Sequence, residues 1–386
     1  MKGSNKTEPN FVHKLGFSAA DAFHSASYGF NARNIWICWK GLLSAWITWL
    51  FFSYAGFLAA GDNIGDRFSS AILCPLPDRL FISSVPAVVI GVAGILLSLY
   101  ILLFTSLKVS RMTFEQIRGD QFYTGKDAGT FAQKFRRSLV LAPLTVLAGV
   151  AVAAGFIALA GLAGIIPGVG QWIIALVSLP AWMLGILLLY GVIVLVLSFF
   201  LTPAIIASTS GDGFECVFEI FSITAAQPFR IFKGILAGLL VRIPVLLLLV
   251  AFAWGGLAVT GMVMEYTGNT LDIAGALESG FASLAPDLVP LYSSIFSPVS
   301  SLSETSAGFS GFPGIMLSAS GTAVMLFFLS YWFSSGVAMW QLIYLGARHE
   351  RDGEDLLLRA EEDEYREFRK LYGSTDHAGD RKSKSR

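Results

Sequence analysis

Long uninterrupted apolar runs dominate this chain, and they restrict the fold more than any other feature. A stretch such as Leu184–Leu201 holds no charged residue and no alternation of polar with apolar positions. Runs of roughly 18 residues or more of this kind mark membrane spans. Backbone in hydrocarbon must satisfy its own hydrogen bonds, which leaves only helices or closed barrels. Barrel strands alternate in polarity, so a barrel is excluded. The expected fold class is all-α: a polytopic membrane protein with six transmembrane helices and cytoplasmic interfacial amphipathic helices. The spans are expected at about Gly41–Ala60, about Val85–Phe104, Ser138–Gly161, Trp172–Phe200, within Gly234–Val259 and within Gly321–Leu345. Pro180 is the expected kink of the fourth.

Composition supports this and narrows the function. Charged residues make up 14% of the 386, hydrophobic residues 54%, and the mean hydropathy is +0.65; soluble domains carry about 25% charge. The formal net charge of +0 gives no basic field for nucleic acid, so no nucleic-acid partner is expected. Cys38, Cys74 and Cys216 are too few and too far apart for a disulfide framework or a zinc site. The first residues lack an h-region and a small-residue cleavage site, so the first span is expected to act as its own insertion signal. Three parts follow: a cytoplasmic segment over 1–40, a six-helix domain over 41–346 containing an extracytoplasmic loop at 262–311, and a charged cytoplasmic tail over 347–386.

Positive residues remain cytoplasmic, and their distribution orients the spans. Lys2, Lys6, Lys14, Arg33 and Lys40 precede the first span, and Lys108, Arg111, Arg118, Lys126, Lys134, Arg136 and Arg137 lie between the second and third. Arg230 and Lys233 lie between the fourth and fifth, while the loop from Met262 to Gly311 has acids and no cation. Both termini and the even-numbered loops are therefore expected in the cytoplasm of a cell whose inner membrane holds the chain. Arg242 has two readings. If the fifth span begins at Pro244, the favoured reading, the proline sits at helix position N1 and Arg242 among headgroups. If it begins at Gly234, Arg242 must snorkel.

Each odd-numbered span follows an amphipathic-looking segment: Ala20 to Lys40, Lys126 to Arg137, and Asp212 to Lys233. In the third, Phe214, Val217, Phe218 and Phe221 share a helical face while Asp212, Glu215 and Glu219 lie elsewhere, as in a helix lying in the interface. Three units, each an interfacial helix and an out-and-back hairpin, would result. Leu271–Leu284 allows a short helix in the loop before the sixth span; cap, re-entrant segment and flexible linker all remain open for the serine-rich Leu291–Gly311.

Residues suited to chemistry are few. His13, His24, His349 and His377 all fall outside the spans, which argues against intramembrane haem. Asp21 and His24 share a helical face, a spacing that suits a metal or an acid–base pair but suits a solvated interfacial pair better. No Asp or Glu falls inside a span, against proton-coupled pumping and paired-aspartate proteolysis. Pro180 and Pro244 leave room for a broken-helix ion site, although simple kinks are the commoner reading. Gly161-x-x-Gly164-x-x-Pro167-Gly168-x-Gly170 reads as a turn between spans, not a phosphate loop, and Ser208–Gly213 as a turn with an N-cap. No catalytic, cofactor-binding or metal residue is assigned, and no cofactor is expected.

The small residues of the third span (Ala148, Gly149, Ala151, Ala153, Ala154, Gly155, Ala158, Ala160 and Gly161) suit close helix packing, within one subunit in the favoured reading. Trp36, Trp39, Trp172, Trp340 and Tyr344 fit an interfacial belt. A charged helix is expected over Glu350–Tyr372, with Leu356, Leu357, Tyr365, Phe368 and Leu371 as a narrow apolar stripe for a cytoplasmic partner or for the interfacial helices.

Arg111–Arg137 followed by two spans, Asp212–Lys233, and Tyr344–Arg348 with Asp352-Gly353 resembles a group of bacterial polytopic inner-membrane proteins without established biochemistry. The element Phe214…Ser222…Pro228-x-Arg230 is more distantly similar to the membrane domain of some glycerophosphodiester phosphodiesterases. The likeness covers about two-thirds of the chain, and no soluble phosphodiesterase domain accompanies it, so that activity does not carry over. The expected function is a non-enzymatic inner-membrane scaffold, assembly factor or accessory subunit. Its expected partners are the lipid bilayer and a protein bound through the tail. The alternative is a transporter or lipid-handling permease.

Overall fold

The computed structural model describes residues 15–17, 19–62, 79–120, 122–266, 311–353 and 355–358. Among them the regular structure is helical, without strands. A 3-10 turn at Ala19–His24 leads to α1 (Ser25–Gly29) and α2 (Ala32–Ala60), followed by α3 (Arg79–Ser83) and α4 (Val85–Ile117). Then come α5 (Gly125–Lys134), α6 (Arg136–Ala163), α7 (Gly170–Thr209), α8 (Gly213–Ala226), α9 (Pro228–Tyr266) and α10 (Gly311–Asp352). Six of these, α2, α4, α6, α7, α9 and α10, contain segments long and apolar enough to cross a bilayer. The chain is a multi-pass membrane protein.

Local chemistry explains where the helices stop. Gly61 closes α2 in the left-handed conformation (φ 76°), its N–H donating to Leu58. Gly168 takes φ 79° in the turn between α6 and α7, a conformation that favours glycine, so this glycine-rich stretch is the expected turn between spans. Thr124 and Asp127 form a reciprocal capping box at the start of α5. Asp212 caps α8, its carboxylate accepting from the N–H groups of Phe214 at 3.0 Å and Glu215 at 2.8 Å.

Several expected boundaries move. Residues Ala32–Lys40 belong to α2 itself, so the first pre-span segment is a 3-10 turn and a short helix rather than one long helix. Pro244 lies inside α9, not at its first position, and Arg242 is buried within the same continuous helix. The reading of Pro244 as the first residue of the fifth helix is therefore overturned, and the Arg242 guanidinium is sheltered by protein. The helix of the sixth span runs on to Asp352 and stops at Gly353 (φ 67°), whose N–H donates to the His349 carbonyl at 2.8 Å. The boundary at 346/347 therefore falls inside α10, and the helix expected across Glu350–Tyr372 is interrupted at Gly353. The proposed helix at Leu271–Leu284, the loop at Leu291–Gly311 up to its last residue, Cys74 and the tail beyond Leu358 lie outside the described residues.

The chain forms two compact units, one from Met1–Ser25, Ser110–Gly238 and Val337–Arg386, the other from Ala26–Val109 and Leu239–Gly336. In the first, α9 and α10 meet through glycines that admit a large neighbour. A Cβ on Gly234 would come within 2.7 Å of Ile343, one on Gly238 within 2.7 Å of Met339, and one on Gly346 within 2.8 Å of the Arg230 guanidinium. Small residues permit such backbone approach where lipid gives no hydrophobic drive between helices. In the second unit, Gly41 leaves room for Thr105 and Gly29 for Ser335. The Trp39 indole donates to the Ala323 carbonyl at 2.9 Å.

Candidate functional site

Three spans of the first unit meet at one buried amide. The Gln341 side chain of α10 accepts a hydrogen bond from the Ser110 hydroxyl of α4 and donates one to Ser208 of α7, each at 2.5 Å. Ser208 keeps a further bond to the Ala204 carbonyl at 2.9 Å. The indole of Trp340 stacks on Phe200 beside this junction, ring centroids 5.3 Å apart. One polar residue from each of α4 and α7 thus meets the Gln341 amide of α10.

Charged groups fasten the shorter helices to the ends of these spans. Glu219 of α8 accepts from Arg348 at 2.7 Å and from Arg351 at 3.0 Å through both oxygens. Asp352 shares both guanidiniums, at 2.8 Å each, and the Arg351 Nη1 reaches the Ser222 hydroxyl at 2.8 Å. On α4, Arg111 donates to the Ala207 carbonyl of α7 at 2.6 Å, pairs with Glu115 at 2.5 Å and lies 4.6 Å over the Phe131 ring of α5. Glu115 also binds Arg118 at 2.7 Å. Arg230 pairs with Glu350 and donates to the Phe17 carbonyl at 2.5 Å, while the Phe17 ring stacks on His349 at 3.9 Å.

The sequence placed Asp212, Glu215 and Glu219 away from the apolar face of Phe214, Val217, Phe218 and Phe221; the structure gives the three acids different surroundings. Asp212 caps, Glu215 is exposed, and Glu219 points inward beside Cys216, Ile220 and Ile223. Those apolar neighbours one turn before, next to and one turn after Glu219 were the signal that it faces protein. Phe214 and Phe218, by contrast, are 60% and 65% exposed. Burial pushes the Cys216 thiol up to about 12, with the acids Glu215, Asp212 and Glu219 adding to it. Tyr123, below Arg111, is likewise raised by burial. Asp21 sits in the 3-10 turn and accepts from the Gly16 N–H at 3.3 Å. Among the described residues no cluster of three or more His, Cys, Asp or Glu side chains is placed to hold a metal.

The second unit holds Arg242, only 4% exposed. Its Nε donates to Ser335 at 2.9 Å, its Nη2 to the Trp332 carbonyl at 2.6 Å, and its guanidinium lies 4.1 Å from the Trp332 ring centroid. Gly336 supplies the space, since a Cβ there would come within 2.9 Å of the guanidinium. A charge in a segment this long and apolar is costly unless it is sheltered, and these contacts shelter it.

The third span packs differently from expectation. A Cβ built on Gly149, Gly155 or Gly161 meets nothing within 4 Å, so these glycines do not serve close approach within the unit. Beyond Val146 no residue of α6 is buried. Leu144, Leu147, Val152, Phe156 and Leu159 are exposed along it. Comparison with family models, curated proteins and solved structures finds no match.

Proposed function

We infer that the chain is a non-enzymatic integral scaffold, assembly factor or accessory subunit of the inner membrane, with both termini cytoplasmic. One observation carries the reading: in the first unit Glu219 and Gln341 hold one helix to another, and Glu115 fixes Arg111, which reaches the Ala207 carbonyl of α7. Glu219 is held by Arg348 and Arg351, Glu115 by Arg111 and Arg118, and Gln341 by two serines. A group engaged by two fixed partners is poorly placed to move protons or bind a solute. The hairpin of α6 and α7 meanwhile presents long apolar side chains outward, surface available to lipid or to another membrane helix. The distribution of cations supports the orientation. A second reading, a lipid-handling permease, is favoured by Arg242, a buried cation in a segment long and apolar enough to span.

The experiment is purification of the full chain at native level in mild detergent, with identification of all that is retained. A stoichiometric protein partner that is lost when the chain is cut after Leu358 supports the scaffold through the tail. That truncation spares Arg348, Arg351 and Asp352, so the α8–α10 tie stays intact. Recovery of the chain alone with one lipid or solute class, released by Arg242→Gln, overturns the scaffold in favour of the permease.

A further inference from the structure

In the second unit α2 and α4 lie antiparallel. Gly41 makes room for Thr105, the Ser98 hydroxyl donates to the Ala45 carbonyl at 3.1 Å, and Gly94 makes room for Phe52. Lys40 and Lys108 flank the Gly41–Thr105 contact, one on each helix, close enough for the charge of Lys40 to act on Lys108. Holding two like charges together is unfavourable, and no acid is set against it. Among the described residues neither lysine is within ion-pair distance of a carboxylate. The described carboxylates of this unit are Asp62, just past the far end of α2, and Glu265, in the last turn of α9. At 1.5 Å per residue, Asp62 is about 30 Å from Lys40. Aromatic rings adjoin both cations. Lys108 is half-buried with its Nζ 4.5 Å from the Phe104 ring centroid, and the exposed Lys40 lies 5.5 Å from that of Trp36. Beyond them the surface turns apolar. Steps of four, seven and eleven residues from Lys40 along α2 reach Ser44, Ile47 and Phe51, all exposed. The same steps back from Lys108 along α4 reach Phe104, Ile101 and the exposed Leu97. Because the helices are antiparallel, both strips run on the side of the contact line that the lysines mark.

We propose that the notch between Lys40 and Lys108 binds the phosphate of an anionic phospholipid, whose acyl chains lie along Ile47 and Phe51 of α2 and Leu97 of α4. Two adjacent cations without an acid call for an anion that satisfies both at once. A zwitterionic headgroup would bring a third cation to them, so the lipid is one whose headgroup carries no positive charge. The strip beside the notch takes the hydrocarbon, which a free anion or a soluble acidic protein would leave uncovered. Lysines and tryptophan at the end of an apolar run stand at the level of lipid headgroups, and basic pockets between spanning helices hold such headgroups elsewhere. The site uses neither the tail nor Arg242. A lipid held here therefore stays on the Arg242→Gln chain, and the proposal is tested apart from the scaffold reading.

The test uses the full chain in detergent micelles, titrated with phosphatidylglycerol or phosphatidylcholine and read by native mass spectrometry. Each cation near an anionic headgroup contributes about fivefold in affinity, so K40Q/K108Q is expected to weaken phosphatidylglycerol binding about 25-fold. K40R/K108R keeps both charges and is expected to retain the lipid, which separates loss of the site from loss of the fold. Lys126→Gln, which removes an exposed cation of the other unit, is expected to change nothing. Equal affinity for the two lipids, an unaffected K40Q/K108Q chain, loss of the lipid from K40R/K108R, or an equal loss with Lys126→Gln each overturns the proposal. So does displacement of the lipid by millimolar inorganic phosphate but not by chloride of the same ionic strength, which would show an ion site in place of a lipid site.

Discussion

Replacing Glu219 by Gln removes the one carboxylate that α8 offers to the end of α10. Two arginines and two acids form this cluster, and the acids differ in a way that sets the expected magnitudes. The Glu219 side chain is 10% exposed and belongs to a different helix from its cations; that of Asp352 is 32% exposed and shares α10 with them. Breaking a fully buried pair costs about 3–5 kcal/mol, whereas exposed pairs contribute about 0–1 kcal/mol. With both arginine side chains 19% exposed, Glu219→Gln falls between these limits, at about 2 kcal/mol. Asp352→Asn removes only a contact within one helix and costs about 0.5 kcal/mol. Unfolding in mixed micelles by titration with a denaturing detergent measures both, and the double variant with Arg351→Gln isolates the Glu219–Arg351 coupling. Equal losses for Glu219→Gln and Asp352→Asn would refute the view that this cluster ties one helix to another.

Three further outcomes follow from local geometry. Gly29→Ala should cost about 3 kcal/mol, the upper end for overpacking, because its Cβ would fall 2.7 Å from the backbone N of Ser335 and 2.5 Å from its Cβ; Gly238→Ala, which meets the flexible Met339 side chain, should cost less than half as much in the same unfolding assay. Cys216, buried and with its thiol pushed up to about 12, should resist maleimide at pH 8 in the folded chain and react once unfolded, as read by intact mass; rapid labelling of the folded chain would contradict the packing of α8. The Asp127 carboxyl is held below the usual carboxylate range by its hydrogen bonds from Thr124, so its support of α5 is complete above the unfolded value of about 4 and is lost as pH falls through the lower folded value. Amide exchange at Ala128, whose N–H donates to Thr124, should lose protection along that acid limb, and Thr124→Ala should abolish the dependence.

The spanning helices were legible because their signal is cumulative: a run such as Leu184–Leu201 has no other way to satisfy its backbone in lipid. The turn and N-cap at Ser208–Gly213 was legible for the opposite reason, since Asp212 acts within one turn of chain, whereas the Thr124–Asp127 capping box went unread. Helix ends without a strong local signal were not legible. Pro244 reads as a start because proline suits the first turn, yet α9 carries it in the interior. Gly353 ends α10 although the charged pattern around it continues. The junction of Ser110, Ser208 and Gln341 was hidden because its members lie far apart in the chain and none is unusual alone.

Glycine shows where such reading fails in kind. The third span has the densest run of small residues, and composition alone points to it as the closely packed helix. In the structure Gly149, Gly155 and Gly161 face open space, while glycines that admit neighbours are scattered singly over other helices, α9 and α10 among them. The reason is geometric: a small residue allows approach only if a large one stands opposite at the same height. Gly234 and Gly238 have Ile343 and Met339, and Gly346 has Arg230. That pairing is a property of two helices together, so a count along one helix cannot reveal it. The open small-residue face of α6 is consequently an argument about what lies outside this unit, where lipid chains or another helix can approach the backbone closely.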